Sequence, residues 1–386
     1  MIYPPVGIRS IAINFPSVVR TNDYWRKNYP DLVATAEQKS LSKVFSPGDS
    51  IPTNEFELKM SPYLKDPFRG TVERRILGPG ESSLTLEYGA AKDALAAAKL
   101  SPEEVDLMIV ASLWPENILP GNAAFLAAQL GVRGAAWNLD STCSNAVVAL
   151  QNATALVRTG EYRNVLVVVS CTYSRFTDEN DTLSWFFGDG AGAFVVGALK
   201  QNQGIISTKI VNTCATCDTF HNEFTTDAEG NVRMLIRAGK HTNKVLSETA
   251  VNYLRECCLG AIAAAGVTLE QIQFFAFNTP TAWYSCLCTE ALGIQQERTI
   301  NLYPQYANIG PMLPIANLYH GAQLGKIHEN DLVLVYSIGS VSNAAATVMR
   351  WGNVALSPAD KFTTRVPGCL SQEARKSHLP SITNIG

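Results

Sequence analysis

The feature that most constrains the fold is an internal repeat. Residues 96–112, AAAKLSPEEVDLMIVAS, align with residues 263–279, AAAGVTLEQIQFFAFNT, at a constant offset of 167. Each copy has the pattern of a helix end, a Ser/Thr turn and a buried strand, and Glu103 of the first copy matches Glu270 of the second. A repeated unit of this kind predicts a chain built from two similar α/β halves.

Two further pairs of segments follow in the same order. The segment that begins at Trp137, WNLDSTCSNAVVALQNA, and the segment that begins at Ile300, INLYPQYANIGPMLPIANL, each have the pattern of a strand, a short loop and a helix of small residues. Each half then closes on a glycine-containing strand, within residues 188–197 and 336–352. Because all three pairs keep one order, we interpret the chain as a duplication.

The repeat divides the chain into two halves and two additional segments. We expect residues 1–200 to form the first half and residues 201–355 to form the second. Residues 23–70 are mixed polar and aromatic with five prolines, and they predict an insertion that caps one face. Residues 356–386 predict a polar tail. Long loops of this kind often form lids over active sites.

Apolar periodicity predicts a layered α/β fold. The predicted strands lack polar alternation, which favours burial on both faces of the sheet. They span residues 105–112, 165–171, 272–279 and 331–337. The predicted helices are rich in alanine and small residues, so several are expected to be interior. They span residues 82–98, 122–131, 143–160, 244–265, 281–293 and about 309–325.

Composition argues against several classes of protein. A chain with 46% apolar residues can bury a large core, so it is not expected to be disordered. The 31 basic and 34 acidic residues give a net charge of −3, without the basic excess that nucleic-acid binding requires. The sequence shows neither a secretory signal nor a membrane span. We therefore expect a cytoplasmic protein with reduced cysteines and with no nucleic-acid or membrane partner.

Cys143 is the strongest candidate for chemistry. It lies between a predicted strand and a predicted apolar helix. The unpaired N–H groups and positive dipole at a helix N-terminus lower the pKa of a thiol, and the same N–H groups can form an oxyanion hole. A buried structural cysteine is the alternative. The flanking side chains are unusually polar for an inert thiol, and they belong to Ser141, Thr142, Ser144 and Asn145.

Five segments, in order over about residues 6–352, resemble the β-ketoacyl synthase III family of the thiolase superfamily. They are FPSVVRTN at 15–22, the segment around Cys143, GDGAGA at 188–193, YANIG at 306–310 and GSVS at 339–342. The resemblance implies a thiolase-like α-β-α-β-α layered fold made of two duplicated halves. It also implies a homodimer and a cysteine that takes an acyl group from acyl-CoA or an acyl carrier protein.

The family pairs its cysteine with an asparagine and a histidine. The family asparagine matches Asn308, and because its loop is the counterpart of the Cys143 loop, the duplication predicts that the two residues are close. The family histidine position is occupied by Asn278. An amide can donate a hydrogen bond to a thioester oxygen but cannot transfer a proton at neutral pH. The alternative for Asn278 is a cap of the following helix.

Two other residues are candidate proton carriers. His221 lies in an irregular stretch and could fold into the pocket as a replacement base. Glu116 follows a central strand and is a candidate acid or base. The alternatives are a surface histidine and an exposed loop carboxylate.

Four basic residues are candidates for substrate binding. They are Arg233, Arg237, Lys240 and Lys244, which would lie along one side of a helix if residues 232–244 were helical. A basic stripe suits an acidic carrier protein or the phosphates of coenzyme A. A solvated helix face is the alternative.

Other motifs predict no cofactor and no metal site. The Cys214-Ala-Thr-Cys217 spacing lacks a second ligand pair. The GDGAGA run lacks the Lys-Ser/Thr of a phosphate loop, so we expect close backbone packing there. The thioester itself is the expected substrate.

The leading hypothesis is an acyltransferase of the ketosynthase III type in fatty-acid, polyketide or other secondary-metabolite biosynthesis. It would load an acyl group on Cys143 and pass it to a second substrate. Asn278, Asn308 and the backbone of Cys143 and of residues 339–341 would polarise thioester carbonyls. The alternatives are an ordinary decarboxylative β-ketoacyl synthase with an altered triad and a non-catalytic partner subunit of a condensing complex.

Overall fold

The computed structural model describes residues 4–45, 52–227, 229–339 and 342–358. Its strands are β1 (Val6–Asn14), β2 (Val18–Thr21), β3 (Glu73–Ile76), β4 (Leu107–Leu113), β5 (Ala135–Asn138), β6 (Val165–Thr172), β7 (Asp189–Ala198), β8 (Gly204–Asn212), β9 (Phe220–Thr226), β10 (Val232–Ala238), β11 (Phe274–Phe277), β12 (Leu332–Ile338), β13 (Asn343–Arg350) and β14 (Ala355–Leu356). Its α-helices are α1 (Asn22–Asn28), α2 (Pro30–Phe45), α3 (Glu55–Met60), α4 (Ser83–Ala98), α5 (Asn122–Leu130), α6 (Asn145–Arg158), α7 (Thr242–Ala265), α8 (Tyr284–Leu292), α9 (Tyr303–Tyr306) and α10 (Leu313–Gln323). All the predicted central strands and helices are present, with ends that shift by a few residues.

Two sheets repeat one pairing pattern. The first sheet has the order β14-β1-β7-β6-β4-β5, and the second has the order β11-β12-β13-β8. In the first, β1 and β7 are antiparallel, β7 and β6 are antiparallel, and β6 and β4 are parallel. The pairs β8–β13, β13–β12 and β12–β11 have the same directions in the second sheet. The predicted duplication is therefore confirmed by strand pairing.

The repeat extends to the turns that end its helices. Lys99 ends α4 and Gly266 ends α7, both in the left-handed conformation, with φ of 56° and 67°. Ser101 and Thr268 then each cap a short 3-10 turn through a capping box. Both pairs are 167 positions apart in the sequence. The same local chemistry therefore directs each chain segment from an outer helix into a buried strand.

One predicted strand is missing from the second half. The first half has β5, but the segment that begins at Ile300 contains no strand and forms the short helix α9 instead. Pro304 lies in the first turn of α9, where its missing N–H costs nothing, whereas a sheet would lose a hydrogen bond there. The prediction of a strand at this segment is wrong, and a single bridge between Phe187 and Asn308 replaces it.

The sheets and helices stack in five layers. Helices α4 and α5 cover the outer face of the first sheet, and α7 packs with α8 over the outer face of the second. Helices α6 and α10 lie between the two sheets and contact strands of both. Val147 and Leu150 of α6 share one buried cluster with Ile315 and Leu318 of α10. The α-β-α-β-α architecture is thus confirmed, and each central helix begins near the site described below.

The insertion forms helices α1, α2 and α3 and packs on both halves. Trp25 and Phe68 are buried against Trp185 of the first half. Phe56 of α3 joins the buried cluster of the second half. Glu179 fixes the start of the insertion by accepting hydrogen bonds from several side chains, including the Tyr29 hydroxyl at 2.7 Å. The described residues of the insertion therefore pack against both halves.

Candidate active site

Cys143 lies in a strained turn between β5 and α6. The turn is the 3-10 segment Thr142–Ser144, and α6 begins at Asn145. Thr142 has φ of 51°, in the left-handed region, which costs a non-glycine residue about 1–3 kcal/mol. Its N–H donates to Asp140 Oδ1 at 3.0 Å, and Asn145 Oδ1 accepts the N–H of Ser141. These bonds hold the turn and fix the sulfur at the helix start.

The polar neighbours of Cys143 stabilise the turn and bond to one another. Ser144 Oγ donates to the carbonyl of Ser141 at 2.7 Å, and Asn343 Nδ2 donates to Ser141 Oγ at 2.8 Å. Gly339 lies so close that a Cβ there would sit 2.7 Å from Thr142 Oγ1. Residues 340–341 of the predicted 339–341 donor turn lie outside the described residues. Position 339 requires a glycine because the Cys143 turn packs against its backbone.

The Cys143 thiol faces a cavity and contacts one hydroxyl. Its side chain is partly buried, and Sγ lies 3.7 Å from Tyr173 Oη. Burial raises the pKa of Cys143 to about 11, the Asp140 charge acts in the same direction, and the hydrogen bond with Tyr173 lowers it. The sequence predicted a lowered pKa from the helix start, but burial outweighs that effect. At neutral pH the resting group is a protonated thiol.

Asn308 reaches the same cavity from the second half. Its side-chain Oδ1 accepts the N–H of Gly310 at 2.8 Å, which fixes the amide plane. Its backbone N–H donates to Phe186 at 2.9 Å, and its carbonyl accepts the N–H of Gly188 at 3.0 Å. Among the described residues, Nδ2 has no hydrogen-bond partner. The amide therefore holds its N–H groups available to a ligand in the cavity.

The glycines of the GDGAGA segment allow the Asn308 loop and helix α10 to pack closely against the first half. A Cβ on Gly188 would sit 2.3 Å from the carbonyl oxygen of Tyr306, beside Asn308. A Cβ on Gly192 would sit 2.8 Å from Ile315 of the central helix α10. The expectation of close backbone packing at these glycines is confirmed.

Asn278 connects the two functional loops. It is almost fully buried, and its Nδ2 donates to Gly310 at 3.3 Å and to Ser337 Oγ at 3.1 Å. Ser337 Oγ in turn donates to the carbonyl of Cys143 at 2.6 Å. The side chain caps no helix, because α8 begins at Tyr284 with no side-chain cap bond. As placed, both amide N–H groups of Asn278 are used within the protein.

A large cavity joins the two halves and the insertion. Its volume is about 1510 Å³, against about 300–1,000 Å³ for common ligand pockets. The insertion contributes an apolar wall that includes Leu32, Ala36, Phe56 and Met60. Residues 23–70 were expected to form a cap of the kind that often covers an active site, but no residue type there signalled that these particular side chains line the cavity.

The two accessory candidates are not close partners of the thiol within one chain. His221 lies on β9, is exposed, and lines the cavity. Glu116 is exposed after β4, where its N–H donates to Ser83 Oγ at 2.8 Å, and it does not line the cavity. Neither residue makes a hydrogen bond to Cys143 among the described residues.

The predicted basic helix is wrong. Arg233 and Arg237 lie on β10, which pairs with β9, and Lys244 lies separately on α7. The segment cannot be one helix, because residues 232–238 pair in a hairpin and a Cβ on Gly239 would sit 2.5 Å from the carbonyl oxygen of Asp218. Of the four basic residues, Lys240 lines the cavity.

Arg237 and Lys244 each have an acidic neighbour in the chain. Arg237 donates to Glu223 at 2.6 Å and to Asp181 at 2.9 Å. Lys244 lies 3.9 Å from Glu248, one helical turn further along α7. Of the four predicted basic residues, Lys240 is therefore the candidate for contact with an anionic substrate in the cavity.

Three further observations concern metal binding, membrane-spanning helices and the cysteines. In the described part of the chain, no group of three or more His, Cys, Asp or Glu side chains could hold a metal ion. No described helix is long and apolar enough to cross a membrane. Cys143 and Cys171 are among the free thiols of the described residues.

Comparison with known proteins assigns the family. The family model for 3-oxoacyl-[acyl-carrier-protein] synthase III matches residues 138–213. The model for the C-terminal part of the same family matches residues 262–351. The β-ketoacyl-[acyl-carrier-protein] synthase III of Chelativorans sp. (strain BNC1) is 31% identical over 294 residues, which cover 73% of this chain and 88% of the relative. The Rhizobium meliloti (strain 1021) protein of the same name is 31% identical over 290 residues, with the same coverage of both chains.

The structural comparison agrees. The crystal structure of 3-oxoacyl-[acyl-carrier-protein] synthase III from Aquifex aeolicus VF5 has a TM-score of 0.72 and 26% identity, and the match covers 90% of this chain and all of that one. Two sheets with the same pairing, a cysteine at the start of one central helix and the sequence identity to these relatives lead to one conclusion. The chain belongs to the β-ketoacyl-[acyl-carrier-protein] synthase III family of thioester-dependent transferases.

Proposed function

We propose that this enzyme loads an acyl group on Cys143 and transfers it to a second substrate. The observation that carries the proposal is the convergence of two groups on one cavity: the thiol of Cys143 from the first half and the amide of Asn308 from the second. A nucleophile and a fixed hydrogen-bond donor that line one cavity are what acyl transfer requires.

Asn308 polarises the thioester carbonyl in this proposal. Its Oδ1 is held by the N–H of Gly310, so the amide cannot rotate freely. A fixed donor loses little entropy when negative charge develops on the carbonyl oxygen, and it therefore favours the transition state over the bound substrate. The N–H groups at the start of α6 are a second source of stabilisation.

Asn278 holds the two loops together in this proposal. Because its N–H groups bond to Gly310 and Ser337, we assign it a positioning role and do not assign it a proton. The acceptor is then a hydroxyl, an amine or an already activated carbanion, none of which requires a histidine at this position. Ordinary decarboxylative condensation is the second candidate, and family membership favours it.

The acyl donor is acyl-CoA or an acyl carrier protein, and no further cofactor is needed because the thioester supplies the activated carbonyl. Lys240 at the cavity is the residue we expect to contact a donor phosphate. We also propose that the enzyme works in the cytoplasm in fatty-acid, polyketide or other secondary-metabolite biosynthesis. The net charge of −3 argues against a nucleic-acid partner.

We propose a homodimer that forms along the edge of the first sheet. Strand β5 is the last strand of that sheet, and its Trp137 side chain is 38% exposed. The neighbouring loop exposes Ile118 and Leu119 at 82% and 94%. Contiguous apolar surface next to an open strand edge is typical of a protein interface. The molar mass in solution tests this assignment.

A donor screen tests the proposed function. The purified chain is incubated with acyl-CoAs of increasing length and with acyl carrier protein thioesters, and its intact mass is measured. We expect a shift of one acyl group, mapped by peptide digestion to Cys143. In parallel, carbon dioxide release from a malonyl thioester separates the two candidates, since only condensation releases it. A chain that accepts no donor would be the non-catalytic subunit.

A further inference from the structure

Loading an acyl group on Cys143 requires a proton to move. The thiol is protonated at neutral pH because burial raises its pKa to about 11. The departing thiolate of coenzyme A or pantetheine must gain a proton, since the products are an acyl-cysteine and a free thiol. The amides of Asn278 and Asn308 cannot accept or release one at neutral pH. The candidate bases His221 and Glu116 make no hydrogen bond to the sulfur among the described residues.

The hydroxyl of Tyr173 contacts the sulfur of Cys143. Tyr173 follows β6 in a short 3-10 turn, and its side chain is 4% exposed. Its ring stacks on Phe187, with centroids 4.1 Å apart and planes at 19°, so the phenol is held rigidly. Its Oη lies 3.7 Å from Cys143 Sγ, within hydrogen-bond reach for sulfur, and both residues line the cavity.

We infer that Tyr173 is the proton relay for acyl loading, in the place of the missing family histidine. As Cys143 Sγ bonds to the thioester carbon, its proton passes to Tyr173 Oη. The phenol proton passes to the departing sulfur as the bond from that sulfur to the acyl carbon breaks. The sum is acyl thioester plus Cys143 thiol giving acyl-Cys143 plus free thiol, and Tyr173 ends as it began.

Geometry and chemistry support a relay in preference to a base. In the tetrahedral intermediate both sulfurs are bonded to one carbon, so a hydroxyl in contact with one sulfur is within reach of the other. A phenol carries one proton to donate and lone pairs that accept another. Burial raises the pKa of Tyr173 well above its usual value, so the group remains a neutral phenol between turnovers. The inference rests on the proposed loading of Cys143.

The test is Tyr173→Phe, which removes only the hydroxyl. Loading is measured in a single turnover with two donors, an acyl-CoA and the thioester of 5-thio-2-nitrobenzoate, whose departing thiolate needs no proton. With acyl-CoA we expect the rate to fall by about 10²–10⁴-fold, the usual worth of a positioned proton carrier. With the activated thioester we expect the deficit to shrink by about tenfold or more, because one of the two proton transfers is no longer required.

A structural role would give a different result. If Tyr173 only packed the site, both donors would be slowed equally, and that result would overturn the inference, as would an unchanged rate with acyl-CoA. Tyr319→Phe is the matched control, since this buried phenol donates to Ser357 away from the cavity. We expect it to load at the wild-type rate with both donors. The thermal midpoints of both variants show that each is folded.

Alkylation of Cys143 by iodoacetamide separates this inference from the proposed function. It needs no acyl donor and reports the thiolate directly. If the wild type loads no donor, the proposed function fails, and the alkylation rate still tests the contact. Because the Tyr173 hydrogen bond lowers the pKa of the thiol, we expect slower alkylation in Tyr173→Phe at pH 8. An equal rate in both proteins would overturn the inference.

Discussion

The loops that carry Cys143 and Asn308, one in each half of the molecule, share a backbone feature. In each loop a residue with positive φ comes directly before the candidate functional residue. In the first half Thr142 has φ of 51° and precedes Cys143, and in the second half Ala307 has φ of 55° and precedes Asn308. Each loop then enters a 3-10 turn and a buried central helix, α6 or α10. The strained residue aims the next side chain into the shared cavity in both cases. Duplication therefore preserved the geometry of presentation.

The loops differ in how far the helix lies from the functional residue. Helix α6 begins two residues after Cys143, whereas α10 begins at Leu313, five residues after Asn308. The longer loop allows Asn308 to bond to Phe186 and Gly188 of the first half. One loop thus presents a thiol at a helix start. The other presents an amide that Gly310 holds, on a backbone that bonds across the boundary between the halves. The two halves therefore share a backbone arrangement but carry different side chains at the cavity, a thiol in the first half and an amide in the second.

The largest effect should come from removing the sulfur. Cys143→Ala should abolish acyl labelling and all transfer while leaving the fold intact, because nothing else in the loop replaces the nucleophile. Intact mass and peptide mapping measure the label, and Cys214→Ala, at an exposed thiol, is the control that should label normally. An acyl group mapped to Cys171 or Cys214 would show that the first loop is not the reactive one.

The reactivity of the Cys143 thiol should depend strongly on pH. Because the pKa of Cys143 is raised to about 11, the thiolate fraction grows about tenfold per pH unit below that value. Alkylation of Cys143 by iodoacetamide should therefore rise about a thousandfold between pH 7 and pH 10. Quantitative mass spectrometry of the Cys143 peptide gives the rate. A plateau below pH 8 would mean that the helix start outweighs burial.

Truncating the amide tests the second loop. Asn308→Ala should slow loading by about 10²–10³-fold, or about 2.7–4 kcal/mol, the usual loss for one oxyanion donor. Asn152→Ala on α6 is a matched control, because among the described residues its side chain bonds to Val148 of its own helix alone. Single-turnover loading is the measurement. Wild-type loading in a folded Asn308→Ala would show that this amide does not face the chemistry.

A histidine at position 278 should have the smallest effect. Asn278→His supplies a proton carrier at the position that the resemblance assigns to the family histidine, and we expect about a tenfold gain in carbon dioxide release from a malonyl thioester. The gain is limited because the change also removes the bonds to Gly310 and Ser337. Asn278→Gln, which keeps the amide, is the control. Rapid release by the unmodified enzyme, unaffected by replacing His221, would mean that two asparagines suffice for condensation.

The sequence predicted the scaffold because local signals recur. The segments 96–112 and 263–279 carry the same helix end, cap and buried strand, and strand pairing follows from them. Cys143 was indicated by its place between a predicted strand and an apolar helix, and Asn308 was indicated by the family resemblance. The repeat predicted that the two residues are close. These features depend on short stretches of chain, which a periodic pattern records.

The remaining features depend on contacts that no local pattern records. Tyr173 meets Cys143 only because β6 ends beside the nucleophile turn, 30 residues away in the chain. The raised pKa of the thiol arises from burial by many segments at once. The basic residues at 232–244 have helical spacing, but pairing with β9 overrides it. In each case tertiary packing decides against the local preference.

The most direct test of the central claim is one experiment on the wild-type enzyme. It is incubated with an accepted acyl-CoA and a malonyl thioester, and acyl-Cys143 and carbon dioxide are measured in the same samples over time. We expect close to one acyl group per chain, on Cys143, with carbon dioxide release far slower than loading. No acyl group on Cys143, or carbon dioxide released as fast as the acyl group is loaded, would contradict it.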